Sequence, residues 1–251
     1  MYQSYGKLST KYYQYSKPIG FEIMGDISFY KNKLKGIQGP ILEAGVGTGR
    51  MMIPLLESGF QVEGIDSSKA MLAVCQKACD ERKKAPKLEQ KDLLHLQANN
   101  YYEAIIMPTG SFMLLEEAAQ VLKRFYQALQ KGSRLIFDLE PFRTFDLGAQ
   151  NTSVLAISET EGIVLTSTHL AHDPINQFTQ TLLKYEYFVD GEFNASELQN
   201  FKLYYYGLRE ITMMLEAVGF TSIEVIADYD EEKALNHETD LLTLIAKKGT
   251  F

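Results

Sequence analysis

Between residues 41 and 139, short apolar runs typical of strands alternate with segments of helical periodicity. Parallel strands need a crossover connection, and a helix is its usual form. The alternation therefore predicts an α/β fold in which helices cover both faces of a mainly parallel sheet. The expected strands of this sheet are residues 41–44, 61–65, 87–90, 103–107 and 134–139, followed near the end of the chain by 220–227 and 241–247.

The pattern changes near residue 150, because residues 151–206 carry strand signals only. Asp190-Gly191 lies between two aromatic-rich runs and is a strong hairpin signal, and Glu161-Gly162 is a weaker one. We therefore expect a small antiparallel sheet inserted into the α/β unit. The predicted division is an N-terminal helical cap or lid of residues 1–38, a core of residues 39–150 and 207–251, and the inserted subdomain of residues 151–206.

Charge and composition limit the partners that we expect. Lys and Arg number 25 and Asp and Glu number 32, so the formal charge of the 251 residues is −7, opposite in sign to a protein that neutralises phosphates. No run of 18 apolar residues is present, and the first residues lack the apolar core of a signal peptide. Cys75 and Cys79 are too few for a disulfide framework. We expect a cytoplasmic protein, monomeric or homodimeric, with no nucleic-acid or membrane partner.

The segment from Glu43 to Arg50 reads Glu-Ala-Gly-Val-Gly-Thr-Gly-Arg and follows the first predicted strand directly. Its glycines allow a tight turn and a close approach of the backbone to a ligand, where open α/β sheets bind nucleotide-like molecules. The third glycine comes one residue too early for the dinucleotide fingerprint. Glu43 would repel a pyrophosphate, but it suits a cation or an amine. Asp66, 21 residues after Gly45, stands where a ribose diol needs an acceptor.

This acidic, glycine-rich segment together with Asp66 resembles the class I S-adenosylmethionine-dependent methyltransferases. The resemblance covers residues 39–139, and the last helix and strands fit it as well. It implies a Rossmann-like sheet, S-adenosylmethionine as the cofactor and S-adenosylhomocysteine as its product. The further motif positions that match in order are Met71, Asp92-Leu93, 102–115, 131–135 and 208–220.

The resemblance also implies which residues hold the cofactor. Glu43 would face the methionine amino group or order the loop, and Asp66 would accept hydrogen bonds from both ribose hydroxyls. Arg50 would contact the methionine carboxylate or be a surface cation on a helix. Asp92 and Leu93 would take the adenine edge. The expected cofactor-binding residues are Glu43, Ala44, Gly45, Gly47, Asp66, Ser67, Met71, Asp92, Leu93 and Met107.

The motif after the fourth strand bears on the methyl acceptor. Family members that methylate planar nitrogens often carry Asn/Asp-Pro-Pro-Tyr/Phe there, whereas this chain has Pro-Thr-Gly-Ser-Phe after Met107, which argues against DNA adenine and glutamine. Metal-dependent catechol enzymes need several acids around the acceptor. Asp138 and Glu140 lie near the fifth predicted strand without a convincing third ligand, so no metal is expected. The inserted sheet and the Tyr-rich N-terminus resemble those of the glycine and amino-sugar N-methyltransferase groups.

These resemblances imply methyl transfer to a small-molecule N or O acceptor by direct in-line displacement. The alternative is a regulatory or catalytically inactive module that binds the cofactor, because no unmistakable base is present. The expected catalytic residues are Tyr13 near the methionine end, Glu140 beyond the fifth strand, and His169. Tyr13 could instead pack on the core, and Glu140 could be a solvated loop acid. Because His169 and His172 are three apart in one predicted strand, alternation would send them to opposite faces.

Overall fold

Residues 5–250, which the computed structural model describes, form two β-sheets and six α-helices. The strands are β1 Ile41–Ala44, β2 Val62–Asp66, β3 Leu88–Gln90, β4 Tyr102–Met107, β5 Leu129–Leu139, β6 Gln150–Ala156, β7 Glu161–Asp173, β8 Phe178–Val189, β9 Glu192–Tyr204, β10 Phe220–Ala227 and β11 Leu242–Lys248. The helices are α1 Lys7–Ser16, α2 Asp26–Lys33, α3 Met52–Glu57, α4 Lys69–Glu81, α5 Ala118–Ala128 and α6 Leu208–Val218. None of these helices is both long and apolar enough to cross a membrane.

The larger sheet has the strand order β10-β11-β5-β4-β1-β2-β3. Strands β1 to β5 run parallel, and β11 is antiparallel to both of its neighbours. The carboxyl ends of the parallel strands therefore meet at one edge. Strand β2 lies on one side of β1 and β4 lies on the other, so the direction in which successive strands are added reverses at β1. Open α/β sheets bind ligands in the crevice at such a reversal point.

Side chains alternate across the larger sheet and build one apolar layer on each face. Ala104 and Ile106 of β4 belong to the layer that contains residues of α2, α3 and α4. Ile105 and Met107 belong to the opposite layer, which contains residues of α5 and α6. The predicted α/β sheet with helices on both faces is confirmed.

Strands β6 to β9 form the smaller sheet, which is antiparallel and follows sequence order. The inserted antiparallel sheet is therefore confirmed. Asp190 and Gly191 join β8 to β9 with φ values of 51° and 79°, as a two-residue type I′ turn requires. The hairpin predicted at Glu161-Gly162 is wrong, because both residues lie in β7 and the chain turns at 157–160. Gly162 instead permits a close approach, since a Cβ there would lie 3.3 Å from the carbonyl oxygen of Leu155.

One face of the smaller sheet packs on α1 and is called here the inner face. Tyr12 of α1 meets Tyr185 of β8 edge-on, with ring centroids 5.6 Å apart. Tyr185 pairs with Glu197 of β9. Because every second residue of a strand points the same way, Gln199 and Phe201 share this face with Glu197.

A β-bulge at Leu170 changes which way the end of β7 faces. The register with β8 shifts by one between His169 and Ala171, and Leu170 is left without a partner. His169 and His172 therefore both lie on the inner face, and their ring centroids are 4.1 and 6.1 Å from that of Phe145. The prediction that the two histidines face opposite ways is wrong, because simple alternation does not include the extra residue.

Candidate active site

The glycine-rich loop after β1 is fastened to the end of β2. The N–H of Gly45 donates to the carbonyl oxygen of Ile65 at 2.8 Å. The N–H of Gly47 donates to Oδ2 of Asp66 at 2.9 Å, and the N–H of Ser68 donates to Oδ1 at 2.8 Å. The Asp66 carboxylate thus joins the loop to the start of α4. Burial raises the pKa of Asp66, and these backbone donors oppose the rise.

A cleft of about 510 Å³ opens beside this loop at the carboxyl edge of the larger sheet. A Cβ built on Gly47 would meet no protein atom within 4 Å, so the backbone there borders open space. Asp92 accepts from the N–H of Leu94 at 2.8 Å and so orders the turn after β3. The expected cofactor residues that line the cleft are Gly45, Gly47, Asp66, Ser67, Met71, Asp92, Leu93 and Met107.

Glu43 and Ala44 do not line the cleft but lie beneath the loop. Glu43 is 3% exposed, and its Oε2 has no hydrogen-bond partner within residues 5–250. Burial raises the pKa of Glu43 to about 8, and the nearby Arg50 partly opposes the rise. A buried carboxylate is costly unless it is paired. The orphaned oxygen therefore fits a ligand that brings an ammonium group to this end of the cleft.

Arg50 is 3% exposed and forms a buried ion pair with Asp26 of α2. Its guanidinium also donates to the carbonyl oxygen of Phe21 at 2.6 Å. The interpretation of Arg50 as a surface cation is therefore wrong. The periodicity of its own segment could not show that α2 and the chain before it fold over this position.

The Tyr-rich N-terminal segment closes one side of the cleft. Tyr5 and Tyr13 both line it. Burial raises the pKa of Tyr13, and the adjacent Arg50 opposes the rise. The Nζ of Lys17 lies 5.2 Å from the ring centroid of Tyr13, and burial lowers the pKa of Lys17. Glu43 also acts on Tyr13 and raises its pKa, so charges of both signs lie close to Tyr13, although neither Glu43 nor Lys17 lines the cleft itself.

Strand β9 supplies a wall that no sequence motif indicated, and the turn after β4, part of the motif at 102–115, supplies another. Gln199 and Phe201 reach the cleft from the inner face of the smaller sheet, and Ser111 reaches it from the turn. The hydroxyl of Tyr185 donates to Oε1 of Gln199 at 3.0 Å and orients that amide. The alternation of β9 could have placed Gln199 and Phe201 on one face, but it did not show what that face covers.

Asp138, near the end of β5, is buried and holds the turn after β4. It accepts from the N–H of Thr109, the hydroxyl of Tyr229 and the hydroxyl of Thr243 at 2.7, 2.7 and 2.8 Å. Burial raises its pKa to about 6, and these donors oppose the rise. Thr109 is held at a φ of 55°, so the shape of this turn depends on Asp138.

Neither Glu140 nor His169 is among the residues that line the cleft. Glu140 is exposed and follows the last residue of β5, and the neighbouring strand β4 ends at the cleft-lining Met107. His169 stacks on Phe145, and its Nδ1 lies 3.0 Å from the carbonyl oxygen of Asp146. Because a carbonyl oxygen can only accept, Nδ1 carries the proton. The Nε2 of the neutral imidazole then keeps its lone pair.

His169 belongs to a ring cluster on the inner face, formed by Phe142, Phe145, His169, His172 and Tyr205. The Nε2 of His172 is 3.0 Å from the hydroxyl oxygen of Tyr205. Phe142 stacks on Tyr205 with ring centroids 4.2 Å apart, and its centroid is 4.8 Å from that of His172. The cluster therefore forms an aromatic surface that carries two imidazole groups and one phenol group.

A second hollow of about 440 Å³ lies at the edge of β9. There, the Nζ of Lys202 is 3.9 Å from the ring centroid of Phe178 and 4.7 Å from that of Tyr204. Lys202, Tyr204 and Glu116 also touch the cleft. None of the expected cofactor or catalytic residues lines this hollow, so the cleft beside the glycine loop is the candidate active site.

A family model described as a methyltransferase domain matches residues 41–132, from β1 to the start of β5. Residues 41–132 are therefore a methyltransferase domain. The methyltransferase is 27% identical over 233 residues to a protein named as a methyltransferase from Geobacillus sp. (strain WCH70), across 88% of this chain and 91% of that one. It is 27% identical over 198 residues to the glycine/sarcosine N-methyltransferase of Parasynechococcus marenigrum (strain WH8102), across 76% of this chain and 66% of that one.

The fold of the methyltransferase is shared with solved structures. The sugar N-methyltransferase KedS8 from Streptoalloteichus sp ATCC 53650 matches it with a TM-score of 0.75 and 18% identity, across 99% of this chain and 96% of that one. The predicted family and its cofactor, S-adenosylmethionine, are confirmed. The roles of single residues in holding the cofactor stay predictions. In the described part of the chain, no three His, Cys, Asp or Glu side chains come together in a way that could hold a metal ion.

Proposed function

We propose that the methyltransferase transfers a methyl group to the nitrogen of a small amine, which binds between the cofactor cleft and the inner face of the smaller sheet. The observation that carries this proposal is that the N-terminal segment and β9 both contribute walls to the cleft. Tyr5 and Tyr13 line it from the N-terminal segment, and Gln199 and Phe201 line it from β9. A cleft enclosed in this way admits a small molecule beside the cofactor and excludes a nucleic-acid strand or a folded protein surface.

The names of two similar proteins support nitrogen as the acceptor atom. One is a glycine/sarcosine N-methyltransferase, and the other is a sugar N-methyltransferase. The second matches almost the whole chain, so the likeness includes the smaller sheet as well as the core.

Proton removal decides whether an amine can react. S-adenosylmethionine would supply a methyl group on a positively charged sulfur: a nitrogen lone pair attacks the methyl carbon, the carbon–sulfur bond breaks, and the neutral thioether S-adenosylhomocysteine leaves. Most amines are protonated at neutral pH, so the acceptor must lose a proton to a base first. We propose His169 as this base, because its Nδ1–H is held by the carbonyl of Asp146 and its Nε2 keeps a lone pair.

The other two expected catalytic residues have positions that suit binding. Glu140 follows β5 directly and is exposed, so its carboxylate can attract an ammonium group before deprotonation. Tyr13 lines the cleft beside the glycine loop, where its ring separates the amino-acid end of the cofactor from solvent. Orientation by such groups supplies much of the rate of a two-substrate reaction.

A panel assay tests the proposed function. The protein is incubated with S-adenosylmethionine and, separately, glycine, sarcosine, an amino sugar, a catechol and a carboxylic acid, and S-adenosylhomocysteine and the methylated product are measured by mass spectrometry. We expect products with amines only. The Asp66→Ala variant, which lacks the carboxylate expected to hold the cofactor ribose, serves as the inactive control. Product from the catechol or the acid alone would contradict the proposal, and cofactor binding without turnover on any compound would favour a regulatory module.

A further inference from the structure

Glu197 of β9 caps the N-terminus of α1 from a distant part of the chain. Its carboxylate accepts from the N–H groups of Gly6, Leu8 and Ser9 at 3.2, 2.8 and 3.2 Å, and from the hydroxyl of Ser9 at 2.6 Å. The first N–H groups of a helix have no partners within the helix, and Gly6 at the N-cap has no side chain that could accept from them. Glu197 therefore caps the helix in place of a side chain at the N-cap position. Its carboxylate also places an anion at the positive end of the helix dipole.

The other contacts of α1 with the smaller sheet are weaker or more exposed. Lys11 pairs with Glu161 at 2.8 Å, but both side chains are about one-third exposed. Exposed pairs contribute little. Tyr12 donates or accepts a 3.2 Å hydrogen bond with Ser153 in an exposed position. Among these contacts, the charge-assisted set on Glu197 binds the backbone of α1 directly, and so it fixes where the helix begins on the sheet.

The position of α1 determines the position of two cleft-lining side chains. Tyr5 precedes the helix, Tyr13 is in it, and both line the cofactor cleft. Ser68 lies two residues beyond Asp66. Its hydroxyl donates to the carbonyl oxygen of Tyr5 at 3.0 Å. Glu197 of the smaller sheet and Ser68 of the core therefore both bind the backbone at the start of α1.

We propose that Glu197 is a positioning residue that holds α1 on the inner face and thereby keeps Tyr5 and Tyr13 in the cofactor cleft. The inference concerns cofactor binding, and it does not depend on which acceptor the enzyme uses. It applies to the full chain, in which α1 and the smaller sheet are both present.

The experiment compares Glu197→Leu, which removes every acceptor, with Glu197→Gln, which keeps one oxygen and loses the charge. Hydrogen exchange of the peptide covering residues 5–16 is measured by mass spectrometry, and the Kd for S-adenosylhomocysteine is measured by calorimetry. We expect Glu197→Leu to speed exchange in α1 and to raise the Kd by about tenfold. Glu197→Gln is expected to lie between this variant and the wild type in both measurements.

Glu192→Leu is the matched control, because Glu192 is an exposed residue of the same strand. It should change neither exchange in α1 nor the Kd. Unchanged exchange and Kd in Glu197→Leu would overturn the proposal, and so would faster exchange in α1 with an unchanged Kd. Faster exchange throughout β6 to β9 in both Glu197 variants would also overturn it, since Glu197 would then stabilise the sheet as a whole.

Discussion

The sulfur of Cys75 occupies the space that a side chain at position 49 would need. A Cβ built on Gly49 lies 2.8 Å from Sγ of Cys75, whereas a Cβ built on Gly47 meets no protein atom within 4 Å. Both glycines have positive φ, 84° and 55°. The loop glycines therefore act in two ways: Gly47 leaves room for a ligand, and Gly49 allows α4 to pack closely on the loop.

We expect Gly49→Ala to lower the free energy of unfolding by about 2–4 kcal/mol, because it adds backbone strain to a clash with a buried sulfur. Gly47→Ala should cost only about 1–2 kcal/mol from its left-handed backbone. Gly47→Ala should weaken S-adenosylhomocysteine binding more than Gly49→Ala does, because its methyl group enters the cleft. Urea denaturation and calorimetric titration measure the two effects. Equal affinity of Gly47→Ala and the wild type would place the cofactor elsewhere.

Glu43 should make stability depend on pH. Its pKa is about 8 in the folded protein, against an ordinary value of 4.5. The folded state then holds a proton that the unfolded state has lost, so stability falls as pH rises from about 4.5 to about 8. Glu43→Gln removes this loss, and the variant should gain a few kcal/mol relative to the wild type across that window. Denaturation curves at several pH values test this, and a difference that does not vary with pH would contradict it.

Glu43 should also recognise the amino-acid end of the cofactor. We expect Glu43→Gln to weaken S-adenosylhomocysteine about tenfold, because an ammonium group loses its charged partner. The affinity for 5′-methylthioadenosine, which lacks the amino-acid end, should not change. Calorimetric titration of both ligands measures the contrast. An equal loss for both ligands would mean that the substitution distorts the loop.

The buried pair of Arg50 and Asp26 should show strong coupling. Arg50→Met leaves the Asp26 carboxylate without its cation, and it should lower the free energy of unfolding by about 3–5 kcal/mol. The double variant Asp26→Asn, Arg50→Met should recover a large part of this loss, because no uncompensated charge is left. Denaturation of the wild type, both single variants and the double variant completes the cycle. Additive losses would show that the two side chains act independently.

His169→Gln tests the proposed base. We expect kcat on an amine to fall about 10²–10⁴-fold, the usual contribution of a general base. The Kd for S-adenosylhomocysteine should not change, because His169 does not line the cleft. His237→Gln, at an exposed position, is the control. At a pH high enough to deprotonate the acceptor amine in solution, the variant no longer needs a base. Recovery of the variant's kcat at such a pH supports the assignment. A low kcat that does not depend on pH would assign His169 a structural role.

The residues that line the cleft beside the glycine loop could be predicted because their determinants are local. Gly45, Gly47 and Asp66 lie at the ends of two adjacent strands, and the spacing of glycines and acids fixes where they meet in a parallel sheet. Glu43 was identified from the same segment. Its burial and its pKa could not be predicted, because they depend on Arg50 and on the helix that covers it.

The arrangement of the smaller sheet around the cleft depends on long-range packing that periodicity does not encode. The inner face of the smaller sheet follows from alternation, but the bulge at Leu170 does not, and it alone brings His172 to the side of His169. The junction of Glu197 with Gly6 joins two segments far apart in the chain. No spacing rule connects them, so the residues that close the cleft become visible only in three dimensions.

Leu170 also absorbs a difference in length between β7 and β8. Deletion of that one residue would remove the bulge and leave His169 and His172 two positions apart, still on one face and opposite Thr181 and Thr179. This strand can therefore lose a residue at position 170 without a change in the direction of either imidazole.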